Sequence, residues 1–294
     1  NDVARYDELS ASYILDNGDY IIRCGNSSNN TKVYAVVNLS EDVVIEKLKN
    51  IGGKPTFSDF KPEIKYSDDL SSIDTKINLN TNDFELIEID YNYKEKINEN
   101  ILKYSDEELA HLCVGDFPEP GQKNIQHIVG EAGETTSFIK EIDKYLTMVD
   151  GPAGLRITRI YGTDDQGTFR LCFDAINDRM RYYLSPEEFA KLDLLENNKN
   201  RKGKISYQYT TTLPIGTAIA QSFNVEFAKL CGDIVGKEMD IFNIQLWLAP
   251  AMNIHRNILC GRNFEYYSED PLIAGKMAGG ITLGVQKHKK RGTT

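Results

Sequence analysis

The chain has 294 residues, 40% of them apolar and 27% charged, with a formal net charge of −10. That balance describes a globular domain or two, and the acidity argues against nucleic acid or an anionic membrane surface as a partner. No run approaches the ~20 apolar residues of a membrane span, and the start carries no apolar leader. Five cysteines, Cys24, Cys113, Cys172, Cys231 and Cys260, are scattered without a C-x-x-C pair. They argue against a disulfide framework or a metal site, and they favour a reducing, cytoplasmic setting.

Residues 1–50 read as β structure. Tyr13–Leu15 and Tyr20–Ile22 flank Asp16-Asn17-Gly18-Asp19, a hairpin signal, and a further strand is expected over Lys32–Val37 after the turn-rich Gly25–Asn30. Three strands make a poor core alone, so this piece is expected to be the end of a β-sandwich. Residues 51–104 are polar, are punctuated by Pro55 and Pro62, and show only short β-like patches such as Phe84–Ile89. They read as a linker crossing a surface.

At Ser105 the character changes. Ser105-Asp106-Glu107-Glu108 is a capping box, with Leu109, Leu112 and Cys113 as the apolar face and Gly115 as a stop. A Gly-rich run, Gly130–Thr136, lacks the Lys-Ser/Thr of a phosphate loop. A short apolar strand, Tyr145–Val149, then runs into Asp150-Gly151-Pro152-Ala153-Gly154-Leu155-Arg156. Residues 157–208 have little periodicity beyond a helical patch, Ser185–Leu195 with Pro186 in its first turn, and read as an inserted surface excursion.

Asn224 can cap an amphipathic helix with Phe227, Leu230, Cys231, Ile234 and Val235 at helical spacing. A strand over Ile244–Ala249 follows. It gives way to a polar loop containing Asn253, His255, Arg256, Arg262, Asn263 and Glu265, and then to a helix from about Ser268 to Gln286 with Ile273, Met277, Ile281 and Val285 on one side. The alternation of strand, loop and helix predicts an α/β fold with a parallel sheet or barrel and a ligand site at the carboxyl ends of its strands.

Two loops hold the candidate chemistry. Asp150 follows a strand, where its carboxylate can accept bonds from vicinal hydroxyls while Arg156 donates to neighbouring oxygens; equally, the two can form a structural pair that stiffens a Pro-Gly loop. Arg262 can reach a ligand, or pair with Glu265 or Asp150 as scaffold. Glu265 reads as a group that orders arginines, and His255 as a hydrogen-bonded support. Glu269 and Asp270 suit a helix start. His111 and His127 have no partners at metal spacing, and no nucleophile elbow supports Ser-His-Asp catalysis.

The segments Asp150-Gly-Pro-Ala-Gly-Leu-Arg156, Leu213-Pro-Ile-Gly-Thr217, Leu248-Ala-Pro250, Asn253-Ile-His-Arg256 and Cys260-Gly-Arg-Asn-Phe-Glu-Tyr-Tyr-Ser-Glu-Asp-Pro271 together resemble glycoside hydrolase family 3 of the β-glucosidase type, over about residues 105–294. The run Tyr20–Ser28 resembles the end of that family's fibronectin-III-like domain. The resemblance implies the N-terminal part of a TIM-type (β/α)8 barrel over 105–294, preceded by the end of a fibronectin-III-like sandwich over 1–50, in the rearranged domain order of some bacterial members.

It also implies a retaining hydrolase acting on terminal non-reducing β-D-glucosyl or β-xylosyl residues, with a small carbohydrate as partner and with no metal or cofactor. The family's Asp nucleophile and Glu acid/base are expected outside this chain, which reads as cut at both ends and as inactive alone. Lys287-His288 lacks the Phe of the family's Lys-His-Phe motif and is expected to be a solvated helix end. What the resemblance carries over is sugar binding by Asp150, Arg156 and Arg262. The alternatives are a non-catalytic carbohydrate-binding or structural protein on the same fold, and, more remotely, a phosphate-binding barrel. Oligomeric state is not legible.

Overall fold

The computed structural model describes residues 2–27, 29–53, 68–92, 94, 96–115, 128–135, 146–171, 182–192, 198 and 200–294. Pro55, Pro62, His127, Thr136, Tyr145, Cys172 and residues 193–195 of the expected helix lie outside them. The chain divides into two compact units, Asn1–Lys96 and Ile97–Thr294.

The first unit is all β. Strands β1 (Arg5–Asp7), β2 (Ser12–Leu15), β3 (Gly18–Ser27), β4 (Asn30–Leu39), β5 (Val43–Lys47), β6 (Lys76–Leu79) and β7 (Ile87–Glu88) form two sheets, ordered β1-β2-β5-β7 and β3-β4-β6. Leu15, Val43 and Ile45 of one sheet and Leu39 of the other form its buried core, with Tyr20, Leu79 and Phe84 packed alongside. Two expectations change here. Asn17-Gly18 is not a hairpin turn, because β2 pairs with β1 and β5 whereas β3 pairs with β4. The backbone N–H and side-chain amide of Asn17 both donate to Asp42, each at 2.7 Å, and Gly18 at φ +128° carries the chain from one sheet to the other. The segment expected as a linker contributes β6, parallel to β4, and β7, parallel to β5, so the contact boundary falls after Lys96 rather than at residue 50. In β6 only Leu79 is even partly buried and both residues of β7 are exposed, so neither strand shows an alternation.

The second unit opens with α1 (Asp106–Val114), whose Ser105–Glu108 capping box is fully formed and whose end is Gly115 at φ +73°. Leu109 and Leu112 are only half-buried and Cys113 is exposed, so the apolar face expected on α1 is a shallow one. Strands β8 (Gly133–Glu134) and β9 (Thr147–Asp150) follow. Then come β10 (Ile160–Asp164), β11 (Gly167–Arg170), α2 (Pro186–Leu192) and β12 (Lys204–Tyr207). The chain continues through α3 (Gly216–Ala220), α4 (Val225–Phe242), β13 (Leu246–Leu248), α5 (Pro271–Val285) and β14 (Gly292–Thr293).

The principal sheet runs β14-β13-β9-β8, with β9, β13 and β14 mutually parallel and β8 antiparallel at the edge. Each parallel strand lies beside its successor in sequence, with α4 on the first crossover and α5 on the second. This is the βαβ arrangement that the alternation predicts. Asn224 accepts from the Phe227 N–H at 3.0 Å to start α4, and Asn243 in the left-handed region ends it. The buried side of α4 is Ala228, Cys231, Gly232, Val235, Gly236 and Met239. It is rotated from the expected stripe, and Leu230 is exposed. Glycines cause this shift. A Cβ on Gly232 would stand 2.0 Å from the Ile281 carbonyl oxygen, and one on Gly284 would stand 2.2 Å from that of Lys229, so α4 and α5 cross backbone to backbone. Asp270 caps α5 by accepting from the Leu272 and Ile273 N–H groups, with Pro271 at the first turn.

The end of α5 is not solvated in the way Lys287-His288 suggests. His288 is largely buried. Its Nδ1 lies 2.7 Å from Asp240 Oδ2 and its Nε2 3.3 Å from Asp233 Oδ1, and its ring fills the space left by Gly236. Hydrogen bonds from Lys237 and His288 hold the Asp233 carboxyl below its ordinary value, and those from Arg291 and His288 do the same for Asp240.

The excursion at 157–208 carries regular structure that its sequence pattern does not announce. β10 pairs antiparallel with both β11 and β12, giving a three-stranded sheet ordered β11-β10-β12. Arg201 donates to both carboxylate oxygens of Asp164, at 2.8 and 2.5 Å, and stacks 4.2 Å from the Phe169 ring centroid.

Candidate active site: the loops at the carboxyl end of the sheet

Asp150 is the last residue of β9 and pairs in register with Leu248, the last of β13. Both strands therefore deliver their loops to one end of the sheet, the carboxyl end. The Asp150–Arg156 loop is tightly tied. Gly151 and Gly154 stand at φ +118° and +116°, where any Cβ would press on a backbone oxygen at 2.0 to 2.2 Å. The Gly154 N–H donates to Gly151 O at 3.0 Å and the Arg156 N–H to Asp150 O at 2.9 Å. From beneath, fully buried Trp247 donates its indole N–H to Gly151 O at 3.0 Å. From the side, Leu213 N–H donates to Ala153 O at 2.9 Å and the Thr210 hydroxyl to Leu155 O at 2.7 Å.

Within this frame Asp150 accepts from its neighbour's Gly151 N–H at 2.8 Å and pairs through its other oxygen with Arg156. The Arg156 side chain is 56% exposed and that of Asp150 33%, so the pair faces solvent.

The second loop is set by the Leu213–Thr217 segment. Gly216 at the start of α3 touches the turn Asn263–Glu265 so closely that a Cβ would lie 2.2 Å from Glu265 O, and the Thr217 hydroxyl donates to Tyr266 O at 2.8 Å. Arg262 precedes that turn. It pairs with Glu265, whose side chain is nearly buried, and its guanidinium lies 6.0 Å from the Tyr266 ring centroid. The hydrogen bond and charge of Glu265 hold the Arg262 guanidinium above its ordinary value, with a smaller contribution from Asp150. The charge of Asp150 thus acts on Arg262 as well as on Arg156. His255 does not join this group. Its Nε2 lies 3.2 Å from Tyr266 O and its backbone N–H donates to Ser268 O at 3.0 Å, so it braces the far end of the loop. Glu269 lies just ahead of α5, beside its cap Asp270.

Of the five site residues expected from sequence, the structure groups Asp150, Arg156, Arg262 and Glu265 and sets His255 behind them. Two exposed guanidinium groups flank a carboxylate on rigid loops, an arrangement suited to gripping a neutral polyhydroxylated ligand from several sides. Among the described residues no three His, Cys, Asp or Glu side chains gather as metal ligands.

One group escaped the sequence reading. Glu131 is 3% exposed, on the flank of β9 away from β13, and neither carboxylate oxygen has a hydrogen-bond partner among the described residues. Burial, and then the charge of Glu134, push its carboxyl up to about 7. The signal available was Gly130, at φ +96° and in contact with Thr158, which folds the Gly-rich run inward.

Residues 178–292 match the family described as glycosyl hydrolase family 3 N terminal domain. This stretch is similar to glycosyl hydrolase family 3. The chain is 47% identical over 79 residues to beta-glucosidase A of Butyrivibrio fibrisolvens, covering 27% of this chain and 10% of that protein. It is 43% identical over 82 residues to a beta-glucosidase of Ruminococcus albus, covering 28% and 9%. The crystal structure of a beta-glucosidase from Paenibacillus barengoltzii matches 99% of the chain and 30% of that protein at 24% identity, with a TM-score of 0.60, and shares its fold. The matched stretches thus span about a tenth of the curated relatives' length.

Proposed function

We propose that this chain forms the sugar-holding part of a retaining β-glycosidase that removes terminal non-reducing β-D-glucosyl, or closely related β-xylosyl, residues. The observation that carries this reading is the grouping of Asp150, Arg156 and Arg262 at the carboxyl ends of parallel strands, in a chain whose residues 178–292 match the family 3 N terminal domain. The Asp150 carboxylate accepts hydrogen bonds from adjacent sugar hydroxyls, and the two guanidinium forks donate to neighbouring hydroxyl oxygens. Their contribution is positioning: a sugar ring held in one orientation presents its anomeric carbon to the groups that break the bond. In a retaining enzyme those are two carboxyl groups ~5–5.5 Å apart. Asp150 and Glu265, each tied to an arginine, are not cast in either part, so the chain alone binds sugar without cleaving it. The names of the beta-glucosidase relatives support glucose as the first sugar to test. We further read the first unit as the end of a fibronectin-III-like domain standing ahead of the barrel.

Calorimetric titration of the purified chain with glucose tests the site. Asp150→Asn and Arg262→Ala should each weaken binding at least tenfold, and unchanged affinity in both would remove these residues from the site. Robust hydrolysis of 4-nitrophenyl β-glucoside by the chain would overturn the division between holding and cleaving.

A further inference from the structure

Strand β12 and its continuation leave an aromatic face open. Ile205, Tyr207 and Tyr209 alternate along the chain and so share one face. They are 52%, 59% and 67% exposed, and the two tyrosine rings stack at 5.9 Å with 20° between planes. Between them Gln208 points the other way, its amide buried and bonded to Val129 O and Thr158 O at 2.9 Å each. Further along the same sheet face an aromatic ring is covered: Phe169 lies over Gly162 and beneath Arg201. The excursion therefore has the means to close an aromatic ring and closes only one of the two places.

The open pair stands next to the sugar-holding loop. From Gln208 to Leu213 the chain runs antiparallel to residues 153–159, through Gln208 N–H to Arg159 O at 2.8 Å, Thr210 Oγ1 to Leu155 O, and Leu213 N–H to Ala153 O. Tyr209 thus precedes by one residue the group that pins Leu155, itself the neighbour of Arg156. The excursion leaves and rejoins the sheet at the carboxyl end of β9, the end that carries Asp150.

We infer that Tyr207 and Tyr209 form a stacking platform for the part of a β-linked gluco-oligosaccharide that extends beyond the sugar held by Asp150, Arg156 and Arg262. This inference rests on the sugar-holding role proposed above. Pyranose rings present flat C–H faces to aromatic rings while their hydroxyls stay in water, which suits a half-wet tyrosine surface. The competing stacking ligand, single-stranded nucleic acid, meets a chain of net charge −10 that repels its phosphates.

The test compares the chain with the double variants Tyr207→Ala/Tyr209→Ala and Tyr207→Phe/Tyr209→Phe, titrated calorimetrically with glucose and with cellotetraose. The native chain should bind cellotetraose about tenfold more tightly than glucose. The alanine pair should lose that advantage and keep its glucose affinity, and the phenylalanine pair should retain both. Equal cellotetraose affinity in the native chain and the alanine pair would overturn the platform and leave the sugar-holding loop standing. Tyrosine-dependent cellotetraose binding that survives Asp150→Ala, with no glucose binding, would support the platform and remove the loop. Binding of neither sugar would overturn both. A dimer by light scattering that dissociates in the alanine pair would assign the face to a second copy of the chain and overturn the inference.

Discussion

Replacing Glu131 by Gln should change how stability depends on pH, and in the direction opposite to a salt-bridged carboxylate. The Glu131 carboxyl is buried, unpartnered among the described residues and near Glu134, and burial raises it from 4.5 to about 7 in the folded chain. Below 4.5 it is protonated in the folded and unfolded states alike and contributes no pH dependence. Between 4.5 and about 7 the unfolded chain gives up this proton while the folded chain retains it, so folded stability falls as pH rises. Above about 7 both states are ionised and the penalty is constant. At about 1.4 kcal/mol for each tenfold in proton affinity, the full span is about 3 kcal/mol. Gln cannot ionise, so the slope disappears, and its amide meets the same surroundings as the protonated carboxyl it replaces. The variant should therefore match the native chain near pH 4.5 and exceed it by up to about 3 kcal/mol near pH 8. Urea unfolding followed by circular dichroism across this range gives the difference directly. A difference that stays flat from pH 4.5 to about 8 would refute the burial of an ionisable Glu131.

Three further perturbations probe the frame around the site. Trp247→Phe deletes the indole bond to Gly151 O and leaves that carbonyl with the Gly154 N–H alone; it should cost roughly 0.5–1.5 kcal/mol in denaturant unfolding and weaken glucose binding through the loosened loop. Gly216→Ala places a methyl 2.2 Å from Glu265 O, so the turn carrying Arg262 must shift; calorimetry should show weaker sugar binding, with an unchanged unfolding transition for the first unit. Gly236→Ala drives a methyl to 2.3 Å from His288 Cδ2 and should destabilise the second unit by roughly 1–3 kcal/mol, read as a lowered midpoint in thermal unfolding.

The parts of the fold legible in the sequence are those whose cause is local. The Ser105 box, the Asn224 cap and the Asp270-Pro271 start each act within three residues, and each stands where the side-chain pattern puts it. Asp150 was conspicuous because a charged residue ending an apolar strand has few places to go except the sheet end. What stayed hidden depends on contacts between distant residues. The pairing of Ile160–Thr163 with Lys204–Tyr207 spans some forty residues of chain and leaves no periodic mark in either strand. Asn17-Gly18 has the composition of a hairpin turn, and only the competing acceptor at Asp42 turns it into a crossing between sheets. Leu230 fits the helical spacing but loses its place in the core because Gly232 lets the Ile281 backbone come closer than any leucine would allow. Glu131 is the extreme case: in a polar, Gly-rich run only Gly130 hints at an inward fold, and nothing marks its neighbour as a buried acid.

The antiparallel run between residues 153–159 and Gln208–Leu213 works as a zipped neck. The sheet β11-β10-β12 hangs from it, as a bag hangs from a drawn cord. A loop that leaves and returns through one closed point asks little of the sheet below: doubling its length adds only about 0.6 kcal/mol of closure entropy. The loop that carries Asp150 and Arg156 and the strand that carries Tyr207 are thus mechanically separate modules. The contents of the bag can be exchanged with Asp150 and Arg156 left where the glycines and Trp247 put them.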